Sequence, residues 1–333
     1  MKKIELGHSG IYSSALGFGC MGMSEFYGDH DEASSLRTLE RAYELGVTHF
    51  DTSNVYGRGK NERLVGKFAR GKGSDLTIAT KFGVVRDPDG PQNSTYDREI
   101  NNSPEYMRQC CEESLRRLGR ETIDLYYVHR VDPARPIEET MEALAALVAE
   151  GKIRAIGLSE VSADLLERAQ RIHPVAALQS EYSLWSRDVE SEILPLCERI
   201  GTVFVAYSPL GRGFLSGAIN SESDLAADDI RRTSPRFQGE NLERNRRLLE
   251  GLSAIANARG ISLSQLALAI TLNRRETIIP IPGTKRIKYL EENVSALDVE
   301  LSADEIERLE QLMPIGVASG EAYDPGYGGA PRS

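Results

Sequence analysis

The chain has little of what marks several protein classes. Its 333 residues include four cysteines, at positions 20, 110, 111 and 197, with no CxxC pair and no nearby histidine cluster. Cys110 and Cys111 are adjacent and ill placed for one ordinary disulfide, so reduced thiols are expected rather than a disulfide framework or a metal site. No apolar run approaches the ~20 residues that span a bilayer. The N-terminal MKKIELGHSG lacks the apolar stretch of a signal peptide. Positive charge is in deficit, and the formal net charge of −10 disfavours nonspecific binding to nucleic acid or anionic membranes. The hydrolase signatures GxSxG and HExxH are absent. These absences point to a cytoplasmic protein with neither nucleic acid nor membrane as partner. They leave a homo-oligomer open.

What is present is alternation. Strand candidates at Leu16–Gly19, Val47–Thr52, Leu76–Phe82, Ile123–His129, Ile153–Ser159, Ala176–Tyr182, Thr202–Pro209 and Thr277–Pro282 alternate with amphipathic stretches. The latter run over Glu32–Leu45, Asn61–Phe68, Glu105–Leu118, Ile137–Glu150, Ala163–Arg171, Glu190–Arg199, Leu242–Arg259, Ser264–Leu272 and Lys288–Leu297. Eight strand-then-helix units predict a parallel sheet with crossover helices, and continuous apolar strands such as TVFVA suit burial on both faces. A (β/α)8 TIM barrel is expected, one domain over 1–333 with its core at about 16–297. The C-terminal stretch 314–333, with its Gly/Pro-rich EAYDPGYGGAPRS, reads as a loop or tail.

Gly17, Gly19 and Gly22 spell GxGxxG, but that fingerprint needs a helix opening at the glycines, and the polar MSEFYGDHDE follows instead. A Rossmann reading is rejected, although the glycines still allow a cofactor close to the backbone.

Polar residues fall where barrels of this type carry chemistry, at the C-terminal ends of strands. Asp51 ends the second strand, Tyr56 lies in the loop after it, Lys81 ends the third and His129 the fourth. Singly, each has a plainer role as turn former, surface cation, structural histidine or packing tyrosine. Together they would protonate the alkoxide that forms when a hydride arrives at a carbonyl carbon. Tyrosine is a weak acid with a pKa of ~10; a Lys81 cation would favour tyrosinate and lower that value, and Asp51 would hold the lysine charged. His129 would orient a carbonyl oxygen while Tyr56 protonates it.

The segments FDTSNVYG, TIATKFG, DLYYVHR, GLSE, ALQSEYSL, AYSPLGRGFLSG and IPGTKRIKYLEEN together resemble the aldo-keto reductase superfamily, its general microbial and plant branch in particular. The resemblance implies an oxidoreductase that reduces a small carbonyl substrate with NADPH/NADP+, with Asp51, Tyr56, Lys81 and His129 as catalytic tetrad. It implies that Ser159 and Gln179 hold the nicotinamide carboxamide and that Tyr207 stacks on its ring. Ser208, Pro209, Leu210, Gly211 and Arg212 would wrap the pyrophosphate. Gly283, Thr284, Lys285 and Arg286 would surround the 2′-phosphate, with Glu292 and Asn293 near adenine. Gly19, Cys20, Met21 and Asp51 belong to the same cofactor site. Lys285 and Arg286 also follow a Pro-Gly-Thr turn that opens a helix, whose N-terminal amides and dipole attract phosphate.

Three positions depart from many relatives: Glu160 stands where Asn is common, Ala218 where Lys is, and Tyr289 where some members have Arg. Met23, Tyr27, Trp185 and the tail near Tyr323–Tyr327 are candidates for a substrate pocket. Two alternatives share the barrel. One is a binding subunit like the β subunits of potassium channels; the other is an isomerase or lyase working without the cofactor.

Overall fold

A computed structural model describes residues 1–86 and 99–322. The chain opens with an antiparallel hairpin of β1 (Lys3–Glu5) and β2 (Tyr12–Ser14). Eight parallel strands follow: β3 (Phe18–Gly19), β4 (His49–Asp51), β5 (Thr77–Phe82), β6 (Ile123–Val128), β7 (Ile153–Ser159), β8 (Val175–Glu181), β9 (Val203–Tyr207) and β10 (Ile278–Pro280). Their spatial order is their chain order. At the seam between first and last, the Gly17 amide donates to the Pro280 carbonyl at 2.9 Å and the Gly19 amide to Pro282 at 3.4 Å. The sheet is thus a nearly closed barrel. Glycine is needed there, because a Cβ on Gly19 would lie 2.8 Å from the Ile281 carbonyl oxygen and one on Gly283 2.6 Å from that of Gly19. The glycines that imitate a dinucleotide fingerprint include those that close the barrel.

Ten helices pack between and beyond the strands: α1 (Glu32–Glu44), α2 (Lys60–Ala69), α3 (Pro104–Leu118), α4 (Ile137–Ala149), α5 (Ala163–Ile172), α6 (Ile193–Ile200), α7 (Gly239–Ala258), α8 (Leu263–Arg274), α9 (Ile287–Ser295) and α10 (Ala303–Leu312), counted among the described residues. Asp31, Ser103, Ser162, Ser262 and Ser302 cap α1, α3, α5, α8 and α10 by accepting a first-turn amide. The N-terminal hairpin and α10 were not anticipated. The hairpin strands span only three residues each, too short for a readable period. Helix α10 carries a reciprocal Ser302–Glu305 capping box that would have revealed it. Among the described residues no single helix is long and apolar enough to cross a membrane.

Strand alternation sorts side chains into two layers. On β5, Ile78 and Phe82 join the core between barrel and helices, while Ala79 joins the interior. Leu125, Tyr127, Ala155, Ala177, Val205 and Ile279 share that interior with Leu6 and Ile11, which pack in beside the hairpin. All four cysteines are free and buried.

Candidate active site

The same alternation aims six polar side chains at one mouth of the barrel. Lys81, Ser159, Gln179 and Tyr207 lie an even number of residues from interior positions on their own strands, Asp51 alternates with the outer-core Phe50, and His129 follows β6 two residues after Tyr127. Parallel register then aligns them: Gly19 pairs with Asp51, and Ser159 with Gln179. Tyr56 comes from the turn after β4, in which Gly57, Arg58 and Gly59 take φ of 54°, 53° and 78° to reverse the chain into α2.

Lys81 organises the group. Its Nζ donates to Asp51 Oδ1 at 2.5 Å, to the Thr52 carbonyl at 2.8 Å and to Tyr56 Oη at 3.4 Å. An ammonium has three protons, so each has a partner. Gln179 Nε2 donates to the other Asp51 oxygen at 2.7 Å. The Lys81 and Asp51 side chains are 0% and 4% exposed, so water screens their attraction little. The His129 ring stands edge-on to Tyr56, centroids 5.9 Å apart, with Nδ1 3.3 Å from Ser53 Oγ.

Burial sets the protonation states. It pushes the Tyr56 hydroxyl well above its ordinary value; the Asp51 carboxylate adds to this and Arg130 opposes it. The direction is the reverse of that expected from Lys81 alone, because desolvating a phenolate outweighs a neighbouring cation. Burial, then the Lys81 and Arg130 charges, holds His129 well below the usual histidine range. Burial also lowers Lys81, against the pull of Asp51. At neutral pH the site therefore holds a protonated phenol beside a neutral imidazole.

Asp51, Tyr56, His129 and Gln179 line the floor of a cavity of about 460 Å³. Gly19, Met21, Asp51, Tyr56, His129, Ser159, Gln179, Tyr207, Ser208, Pro209, Leu210 and Arg212 line it, as do Gly283, Thr284, Lys285 and Arg286 at the far end. Met23 and Tyr27 line it too. Other candidates fall outside the lining. Cys20 is buried with its thiol 3.8 Å from the Phe18 carbonyl. Lys81 lies buried, donating up to Tyr56. Gly211 abuts Trp185. Glu292 instead accepts from Ser262 Oγ at 2.6 Å, tying α9 to the start of α8, and Asn293 is buried. Trp185 stacks on Phe214 at 4.1 Å and belongs to packing rather than to the pocket. The tail near Tyr323–Tyr327 lies outside the described residues.

Of the departing positions, Glu160 turns away from the cavity in a left-handed conformation, φ 55°, and accepts the Glu181 amide at 2.7 Å. Ala218 is exposed, and Tyr289 lines the far end with Arg286 5.7 Å from its ring. Lys285 is not held out for a ligand alone: its Nζ donates to the Tyr27 carbonyl at 2.7 Å and the Asp29 carbonyl at 2.6 Å. Two arginines went unforeseen. Arg130 lines the cavity and donates to Ser159 Oγ at 3.3 Å; its adjacency to His129 in DLYYVHR was the available signal. Arg231 sits 5.0 Å from the Tyr27 ring and donates to the Arg212 carbonyl at 2.8 Å, from a short 3-10 turn with no sequence period.

Residues 15–314 match the Aldo/keto reductase family. The chain is 44% identical over 325 residues to the probable aldo-keto reductase 1 of Glycine max, covering 97% of this chain and 92% of that protein. It is 42% identical to the Schizosaccharomyces pombe aldo-keto reductase yakc [NADP(+)], covering 94% and 92%. Among solved structures, the glycerol dehydrogenase AKR11B4 from Gluconobacter oxydans superposes with a TM-score of 0.82 at 29% identity, covering 90% of this chain and 91% of that one.

Proposed function

The chain belongs to the aldo/keto reductase family, a family of oxidoreductases, and from that premise we propose that it reduces small aldehydes or ketones to alcohols with NADPH and with Tyr56 as proton donor. The observation that carries this reading is the Lys81 ammonium, bridging Asp51 and Tyr56 Oη in the cavity floor beside His129. Tyr56 keeps its proton at neutral pH because burial disfavours the phenolate. The tyrosinate left after transfer would face the Lys81 cation, which favours it in a site with little screening. Asp51, held by both Lys81 and Gln179, fixes the ammonium in place. Neutral His129 would hydrogen-bond the carbonyl oxygen, with Nε2 the nitrogen not turned to Ser53. When bound, NADPH supplies the hydride that reaches the carbonyl carbon.

The residues present fit that cofactor. Arg286 is the N-cap of α9, makes no side-chain cap hydrogen bond, and follows another cation. Positive charge at a helix N-terminus opposes the dipole unless an anion joins it, which suits a 2′-phosphate at Thr284, Lys285 and Arg286. Ser159 and Gln179 would hold the carboxamide, Tyr207 the ring, and Ser208 to Arg212 the pyrophosphate. The NADP(+) in the fission-yeast relative's name supports the choice. The test is NADPH consumption with a panel of aldehydes and ketones. Consumption that requires both protein and carbonyl is expected. No consumption across the panel would point instead to a binding subunit, and turnover without cofactor to an isomerase or lyase.

A further inference from the structure

The turn that carries Tyr56 is thinly packed. Val55, Tyr56 and Val84 form a small buried cluster with Met21 against it, separate from the larger cores. Three residues of positive φ follow Tyr56, so neither a regular helix nor a strand ladder runs through the turn. A buried ion pair grips it instead. Arg86 Nη1 lies 2.6 Å from Glu25 Oε2, with side chains 3% and 6% exposed. The same Nη1 donates to the Val55 carbonyl at 2.8 Å. On the other side, Ser24, the residue before Glu25, meets Gly57. Ser24 packs so tightly there that a Cβ on Gly57 would lie 2.9 Å from its Cβ. The pair therefore holds the residue before Tyr56 directly, while Ser24 beside it crowds the residue after. Desolvating two charges offsets most of their attraction, so such a pair adds little net stability and serves better to fix one geometry.

Resting on the reading of Tyr56 as proton donor, we propose that Glu25 and Arg86 are positioning residues whose ion pair clamps Val55 and so fixes the Tyr56 hydroxyl against Lys81 and beside His129. The test is single-turnover reduction of benzaldehyde by NADPH-saturated protein in wild type, Arg86→Met, Tyr56→Phe and the double variant. Misplacing a reacting group by about an ångström costs roughly a hundredfold in rate. Arg86→Met should slow the limiting rate by that order while leaving NADPH affinity unchanged. In the Tyr56→Phe background the same substitution should have almost no effect, since the group it positions is gone. Arg86→Lys, which retains a cationic donor, should recover most of the loss. A structural role would slow both backgrounds equally; that result, or a wild-type rate in folded Arg86→Met, overturns the clamp. A full rate in Tyr56→Phe overturns instead the proton-donor reading beneath it. Should Arg86→Met not fold, Glu25→Gln takes its place in the same cycle, keeping the shape while removing the charge, and is held to the same criteria.

Discussion

The two ends of the cavity are built by different means. At the floor, Asp51, Lys81 and Gln179 are buried on barrel strands, and each contributes a short hydrogen bond to the others' network. At the far end, Arg286 is exposed at the start of α9, and half-buried Lys285 spends hydrogen bonds on the carbonyls of a loop more than two hundred residues earlier in the chain. Sheet register fixes the first end, and low screening makes each charge there count. Water softens every charge at the second. Under the proposed function, substitutions at the floor should abolish the reaction, and those at the far end should only retune affinity.

The largest effect should come from Tyr56→Phe. Removing a placed general acid costs roughly 10²–10⁴-fold in rate, with folding and NADPH binding retained. Measured turnover near the wild-type value would mean that another group supplies the proton. Next, Lys81→Met leaves the Asp51 carboxylate buried without its cation, a change that typically destabilises by about 3–5 kcal/mol. Adding Asp51→Asn should restore much of that stability in urea unfolding but none of the rate. A single variant as stable as wild type would show that the pair is not charged in the folded protein.

At the far end, Arg286→Ala should weaken NADPH binding by roughly tenfold, since an exposed charge-assisted contact lies at the low end of its range. NADH, which lacks the 2′-phosphate, should bind as before. Arg286 is a cleaner probe than Lys285, whose loss would also free the loop at Tyr27–Asp29. Equal losses for both cofactors would remove the phosphate from this end.

The smallest effect concerns His49, below Asp51 on the interior face of β4. Burial pushes it down to about 4, and neither ring nitrogen has a partner among the described residues. The unfolded chain, with a histidine pKa of ~6.5, binds more protons than the folded one between those values. This contribution is therefore full above that value and is lost as pH falls toward 4, about 2 kcal/mol of it between pH 7 and pH 5. Urea midpoints at both pH values should fall less for His49→Gln than for wild type. An identical fall would mean that His49 is not held neutral.

The floor was legible because strand period and motif spacing both point to it. Asp51, Lys81 and His129 each close an apolar run, and period two then dictates which way they face. Less visible was anything that depends on burial or on loops. Nothing in the order of residues says that desolvation drives Tyr56 upward against its neighbouring lysine. Glu25 and Arg86 sit in segments without periodicity and meet only because two strand-end loops converge. Glu292 is placed near adenine by motif position alone, and its hydrogen bond from Ser262 has no signal in the sequence.

Under the proposed function, the floor performs the reaction and the far end selects the cofactor. Single-turnover reduction of benzaldehyde over a range of NADPH concentrations returns both quantities from one curve, a limiting rate and an apparent dissociation constant. Tyr56→Phe should lower the limiting rate alone, and Arg286→Ala should raise the dissociation constant alone. A limiting rate that falls with Arg286→Ala, or one untouched by Tyr56→Phe, would contradict the account.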